Sequence, residues 1–424
     1  MPITLIRGNA LDLPLADNSV DLIVTSPPYF ALRSYQDEGE HYDGQLGSEA
    51  TPTDFLVTLL AATREMMRVT KPTGSIWVNL GDKYGGGSNT RDNLAAWSKD
   101  NARGGGKTAA QARPRRPIAP VDGMRPKSLI GLPWRYAIAC MDVLGLILRA
   151  EVIWSKPNGI PESVRDRVRR SHDTWFHFTL SPRYYSATDE IRERTGREMS
   201  WETYEKQRGK SWHDHSHDAE RGMTDLPDKP PVGVHPLGRS MGSVWTVPPQ
   251  ALTVPPEIGV DHYATFPMEL PRRIIRGWSP SGICTVCGEG RRPLVDVQYD
   301  NWVDAGPKTK QSRIDEPGRV LSYASGMSAT RRTTIIGEEC GCENADAPTE
   351  PAVVLDPFGG TGTTALVASV LGRHGISVDL SADYNRLAEW RTNDPGQIAT
   401  AMEVKRPEAP MPGQLGFELD WETG

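Results

Sequence analysis

Apolar positions along the first 80 residues fall into short runs and one long periodic stretch. Residues 3–8 (ITLIRG) are a β-type run ended by glycine, and residues 21–26 (DLIVTS) are a second run, stopped by Pro27-Pro28. Residues 54–69 (DFLVTLLAATREMMRV) place apolar side chains at helical spacing, and Lys71-Pro72-Thr73-Gly74 closes that element. Residues 75–80 (SIWVNL) return to a strand pattern. Strand, strand, helix, strand is the grammar of an α/β sheet. Further on, the pattern predicts a helix over 129–145 and strands near 147–154 and 175–181. It also predicts a helix over 267–278, opened by Pro267 at its first position. The strongest α/β signal comes late: a buried strand at 352–356 (AVVLD), a glycine turn at 357–363, a helix at 364–372 and a strand at 374–379 (HGISVD).

Polar stretches interrupt this pattern. Residues 85–127 are rich in Gly and Arg and read as a long mobile loop. That loop holds nine basic residues (Arg91, Lys99, Arg103, Lys107, Arg113, Arg115, Arg116, Arg125, Lys127) against Asp92, Asp100 and Asp122, a local charge of +6. Residues 187–235 hold four of the nine histidines, residues 281–349 hold four of the five cysteines, and the tail from Asp394 is Pro-rich and expected to be loosely held. A chain of 424 residues with 41 Gly and 35 Pro implies one domain with sizeable insertions, or two domains. With 38% hydrophobic and 24% charged residues it reads as globular rather than disordered. The net charge of −6 does not exclude a nucleic-acid partner, because only the local distribution faces a ligand. No apolar run reaches the ~18 residues of a membrane span. The opening MPITLIRGNALDLP lacks the layout of a signal peptide. An odd cysteine number without an export signal points to a reducing cytoplasm.

Two motifs carry candidate chemistry. Asp356-Pro357-Phe358-Gly359-Gly360-Thr361-Gly362 follows an apolar strand and opens a helix at Thr363. Gly360 and Gly362 allow close backbone approach to a ligand, and the helix N-terminus offers free N–H groups. Asp379 ends the next strand, where a carboxylate can hold ribose hydroxyls. Taken alone this is a generic nucleotide-site pattern, and Gly360-Thr361-Gly362-Thr363-Thr364-Ala365 even fits a dinucleotide fingerprint, so NAD binding stays open at this step, as does a purely structural turn. Thr25-Ser26-Pro27-Pro28-Tyr29 is the second motif, and a dehydrogenase has no use for it. Its prolines stiffen the backbone and remove two N–H donors, leaving local carbonyls free to accept. The Ser26 hydroxyl and the Pro27 carbonyl can accept the two hydrogens of an exocyclic amine, and Tyr29 can stack on a flipped base. For the pentapeptide by itself, a Pro-Pro strand terminator in a surface turn is the alternative.

The two motifs together resemble the DNA amino-methyltransferases in their permuted, β-class arrangement, with the catalytic motif ahead of the cofactor motif. Thr25-Ser26-Pro27-Pro28-Tyr29 looks like the catalytic motif, and Phe358, Gly360 and Gly362 fall in register with the F-x-G-x-G cofactor motif. Asp379 resembles the ribose-binding acid. Arg7-Gly8-Asn9-Ala10 resembles the loop that touches the cofactor adenine, with Asn9 in place of the usual acid. Ile153-Trp154-Ser155-Lys156-Pro157-Asn158 and Ser171-His172-Asp173 are similar to the middle block, and the segment containing Phe266 and Pro267 is similar to the one covering the methionine end of the cofactor. The likeness covers most of residues 3–185 and 243–392.

It implies a Rossmann-like class I methyltransferase fold: a circularly permuted, mixed but mostly parallel sheet with helices on both faces and polar insertions. It implies S-adenosylmethionine as cofactor and double-stranded DNA as partner, in a bacterial cytoplasm and encoded by the bacterium or by a phage, either beside a cognate restriction endonuclease or as a stand-alone modifier. It also divides the chain: 1–186 as the catalytic half, 187–242 as a target-recognition region, 243–280 as the cofactor-covering segment, 281–349 as a cysteine-containing insertion, 350–393 as the cofactor half and 394–424 as a tail. Permutation would place the glycine turn beside Ser26 at the carboxyl edge of the sheet, the switch-point crevice of open α/β folds.

The expected reaction is direct transfer of a sulfonium methyl to an aromatic amine. Two acceptors on the amine hydrogens favour a nitrogen that can attack, and no cysteine beside the proline pair is needed because no covalent intermediate forms. In the resemblance, S-P-P-Y leans to cytosine N4 and D-P-P-Y to adenine N6, so cytosine N4 is expected and adenine N6 is the alternative. An RNA or protein amine methyltransferase and a catalytically dead DNA-binding module are the competing classes. Cys284-Thr285-Val286-Cys287-Gly288 has the form of half a zinc knuckle, and Cys340-Gly341-Cys342 can supply the other half of a closed four-thiolate site, with free thiols in a loop as the alternative. Cys140 reads as a core residue. His213, His215 and His217 read as a solvated loop rather than a metal site.

Overall fold

The computed structural model describes residues 2–31, 45–85, 127–159, 164–193, 239–258, 265–300, 330–342 and 347–405, with short pieces at 36–37, 40–41 and 162. Chain contacts divide it into two units: Met1–Ser186, Ser243–Gly290 and Asp346–Gly424 form the first, and Ala187–Gly242 with Arg291–Ala345 the second. The expected basic loop, the three clustered histidines and most of the expected target-recognition region lie outside the described residues.

In the first unit, β1 (Ile3–Arg7) and β2 (Val20–Thr25) precede α1 (Pro52–Val69), which runs directly into β3 (Thr70–Leu80). Thr51 caps α1 by accepting from the Asp54 N–H at 3.1 Å, and Pro52 sits at the first helical position, where a missing N–H costs nothing. The helix ends where Lys71-Pro72-Thr73-Gly74 was expected to close it, at Val69, because Thr70 turns extended; β3 begins at Thr70, but its pairing with β2 jumps from Thr70 opposite Val20 to Ser75 opposite Leu22, so residues 71–74 form an irregularity in the ladder. Next come α2 (Leu132–Asp142), β4 (Ile147–Ser155), β5 (His172–Thr179), β6 (Val244–Thr246) and α3 (Glu269–Trp278). Pro267 therefore lies outside the helix it was expected to open. The chain closes with β7 (Val353–Asp356), α4 (Thr363–Val370), β8 (His374–Asp379), α5 (Ala382–Asn393) and α6 (Pro395–Ala401). The expectation of a loose tail from Asp394 fails at its start: Asp394 caps α6 through the Gln397 N–H at 2.8 Å, and Ala399 and Ala401 are buried.

Eight strands form one sheet in the order β1-β8-β7-β2-β3-β5-β4-β6. The first five are parallel, and β5 runs antiparallel between β3 and β4. In chain order the C-terminal strands β7 and β8 are the first two of a class I methyltransferase sheet, and β1 and β2 are its third and fourth. This is the permuted arrangement expected from the sequence. All six residues of β2 are buried, as its continuous apolar run requires for a central parallel strand. One core layer forms where Phe55, Leu59 and Met66 of α1 and Tyr136, Ala137 and Cys140 of α2 meet Ile23, Ile76, Val78, Phe176 and Phe178 of the sheet. Burial pushes the Cys140 thiol up to about 12, which suits a core residue.

The second unit contains a hairpin of strands Arg292–Asp300 and Thr330–Glu339, with an irregularity between Leu294 and Val295. It also holds an isolated bridge between Glu193 and Arg239, whose side chains pair at 2.6 Å.

Candidate active site

Parallel order places the carboxyl ends of β8, β7, β2 and β3 side by side. Residues following these strands therefore meet at one edge although they are far apart in the chain. The Thr25 hydroxyl at the end of β2 donates to Asp356 Oδ1 at the end of β7, 2.6 Å away across 331 residues. The Thr364 hydroxyl donates both to Asp356 Oδ2 at 2.9 Å and to the Val24 carbonyl at 3.1 Å. Asp356 is thus a buried clasp between the catalytic and glycine motifs. Burial raises its pKa to about 6, opposed by hydrogen bonds from Thr25, Thr364 and the Phe358 N–H.

A cleft of about 950 Å³, measured to its open mouth, is lined by Asn9, Ser26, Pro28, Phe266, Pro357, Phe358, Gly360, Thr363 and Asp379 among others. Gly360 has φ +51°, and a Cβ there would meet nothing closer than the Phe358 carbonyl at 3.9 Å, so the turn presents open backbone to the cleft. Asp379 holds this turn: Oδ2 accepts from the Gly360 N–H at 2.8 Å and Oδ1 from the Ser381 N–H at 2.9 Å. Asn9 also lines the cleft, but its amide oxygen accepts from the Leu11 N–H at 3.0 Å, so one of its two lone pairs is already used within its own turn.

Asp356, Gly362, Pro267, Pro27 and Tyr29 do not line the cleft. Tyr29 is half-buried with its ring against Gly81: a Cβ at Gly81 would lie 2.4 Å from Tyr29 Cε2. Its hydroxyl donates toward Asn79 Oδ1 at 2.5 Å and Asp173 Oδ2 at 3.1 Å. The Ser26 hydroxyl donates to the same Asn79 oxygen over a long 3.4 Å, and Asn79 is itself anchored by its amide on the Thr174 carbonyl at 3.3 Å. Lys156 pairs with Asp173 and lies over the Trp154 ring at 4.2 Å.

Sequence reasoning gave no role to Asn79 and Gly81, although a polar residue ending the buried run of β3 was a signal that could have found them. Asp173 and Lys156 were recognised only as part of a block. Of the cysteines, Cys284 and Cys287 flank a tight turn in the first unit, closed by the Gly288 N–H donating to the Cys284 carbonyl at 2.8 Å. Cys340 and Cys342 in the second unit have Sγ atoms 3.2 Å apart.

The sheet order and the glycine cleft at its carboxyl edge define a protein of the class I methyltransferase type. The chain belongs to the DNA methylase family, whose model matches residues 20–285 and 348–389, more than half of the sequence. The expected S-adenosylmethionine-dependent family is thereby borne out. The Type II methyltransferase M.Cfr9I of Citrobacter freundii is 42% identical over 192 residues, 45% of this chain and 58% of the relative. The Type II methyltransferase M.SmaI of Serratia marcescens is 40% identical over 174 residues, 41% of this chain and 53% of the relative. The chain spans a little over half the length of these relatives. Among solved structures, the PvuII DNA methyltransferase (cytosine-N4-specific) aligns with a TM-score of 0.48 at 14% identity, covering 95% of this chain and 92% of that one. No helix among the described residues is long and apolar enough to cross a membrane.

Proposed function

We propose that this protein methylates the exocyclic N4 of a flipped-out cytosine in double-stranded DNA, with S-adenosylmethionine held over the glycine turn. The observation that carries the reading is that Ser26 and Pro28 share one cleft with Gly360 and Asp379. Bound there, the cofactor supplies an activated sulfonium methyl. The chain's own residues do the rest. The Ser26 hydroxyl donates its hydrogen to Asn79 Oδ1, which leaves the Ser26 oxygen lone pairs to accept from an incoming amine. Asp379 offers its carboxylate to ribose hydroxyls, and Phe266 and Phe358 exclude water from the cleft they line. Aligning the amine with the methyl is then the main catalytic contribution.

Incubating the protein with DNA and labelled cofactor, then resolving the nucleosides by mass, tests this. N4-methylcytosine is expected. N6-methyladenine would move the reading to the adenine alternative, and label on RNA or protein instead of DNA would overturn it. Ser26→Ala with retained cofactor binding and an unchanged rate would remove the role given to Ser26. The type II relatives make a cognate restriction endonuclease the proposed companion. The two cysteine pairs are proposed as zinc ligands, because the Cys340 and Cys342 Sγ atoms lie 3.2 Å apart and Cys284 and Cys287 flank one tight turn.

A further inference from the structure

Arg391, on α5, is 2% exposed and has no part in the reading above. A guanidinium stays charged and carries five donors, so burying one without an anion is costly. Among the described residues its hydrogen-bond partners are two hydroxyls: Nη1 donates to Thr361 Oγ1 and, at 2.6 Å, to Thr363 Oγ1. Its Nε has no partner. Burial lowers its pKa to about 10, with no carboxylate acting to raise it. The result is a buried cation whose charge is not compensated.

Thr361 and Thr363 both line the cleft. Their hydroxyl oxygens lie 3.2 Å apart, so one hydroxyl donates to the other while both accept from Arg391. The second hydroxyl hydrogen remains for another acceptor. Sheet order fixes what that acceptor faces. Asp379 ends β8, Thr361 and Thr363 follow β7, and Ser26 follows β2. A ligand running from a ribose at Asp379 to a methyl at Ser26 lays its amino-acid tail over the β7 turn. Thr363 also opens α4, whose first N–H groups add positive potential there.

We propose that Arg391 is a positioning residue for the carboxylate of the cofactor's methionine, acting through Thr361 and Thr363. The inference rests on reading the cleft as the cofactor site. Its signature is selectivity: the charge strengthens binding of ligands that carry the carboxylate and not of those that lack it. Calorimetric titration with S-adenosylhomocysteine and with 5′-methylthioadenosine, the same nucleoside thioether without the amino-acid group, reads this directly. For Arg391→Met we expect about tenfold weaker S-adenosylhomocysteine binding, equivalent to ~1.4 kcal/mol, and less than twofold change for methylthioadenosine. Arg391→Lys should recover part of the loss. Equal weakening of both ligands would mean that Arg391 only braces the turn, and no weakening of either would mean that its charge is not felt; each overturns the proposal. Should Arg391→Met fail to fold, the double variant Thr361→Val, Thr363→Val keeps the guanidinium and should give the same split. Asp379→Ala serves as reference and should weaken both ligands. If it weakens neither, the cofactor reading of the cleft itself has failed.

Discussion

Gly81→Ala would test whether Tyr29 must stay where the structure puts it. A Cβ at position 81 would lie 2.4 Å from Tyr29 Cε2, 2.8 Å from Cδ2 and 3.2 Å from Cζ. Carbon atoms settle at about 3.5–4.0 Å, so the ring must retreat by roughly 1 Å or more. It cannot do so and keep its hydroxyl 2.5 Å from Asn79 and 3.1 Å from Asp173. Overpacking of this kind costs about 1–3 kcal/mol, and losing the hydroxyl contact adds about 1 kcal/mol. A melting-temperature fall of several degrees is expected. Displacing a group that contacts the reacting base by ~1 Å costs about 100-fold in rate. Gly81 and Tyr29 do not line the cofactor cleft, so S-adenosylhomocysteine affinity should stay within twofold of the parent protein. Single-turnover methyl transfer, calorimetry and thermal melting together make the test. A variant that melts normally and transfers methyl at the parent rate would show that neither the steric argument nor the role of Tyr29 holds.

Three further outcomes follow from the same geometry. Asn79→Ala removes the acceptor shared by Ser26 and Tyr29 and should slow turnover by roughly 10–100-fold with cofactor affinity intact, while Asn79→Asp restores an acceptor and should recover part of the rate; an equal loss of cofactor binding would instead indicate a damaged sheet edge. Asp356 has a folded pKa of about 6 against 3.8 when exposed, so the folded state holds this proton more tightly than the unfolded one. Its contribution is fully present below about pH 4 and is lost as pH rises through 6, an effect of about 3 kcal/mol for roughly two pKa units; denaturant melts of Asp356→Asn against the parent from pH 4 to 7 should show that difference, and a pH-independent difference would refute it. Protein purified without chelators should contain zinc, and Cys284→Ser with Cys287→Ser should lower the zinc content; metal-free parent protein would end the zinc proposal.

What could be read along the chain was whatever its own neighbours determine. The glycine motif announces a strand, a turn and a helix within a dozen residues, and Thr25-Ser26-Pro27-Pro28-Tyr29 announces its chemistry in five. The hidden parts of the site are those whose partners are remote. Tyr29 finds Asn79 across 50 residues and Asp173 across 144, and Arg391 reaches Thr361 across 30 in a helix the sequence pattern did not single out. Element ends were blurred where a local stop signal competed with pairing: Pro72 and Gly74 look like a turn, and residues 71–74 do interrupt the ladder, yet β3 starts ahead of them because Thr70 already pairs with Val20 of β2. Likewise Pro395 looks like a loosening tail, yet it sits where a helix accepts proline best.

By itself the sequence determined the class of fold and the glycine and Pro-Pro turns that follow its strands, because apolar period and backbone permission are local properties. Tertiary structure alone decided that these motifs share a cleft and that Asp356 clasps them together. It also decided that Asn79 and Gly81 meet Tyr29 and that Arg391 meets Thr361 and Thr363. Those relations depend on which parallel strands lie next to each other, and strand adjacency is set by long-range burial that no short stretch of residues contains.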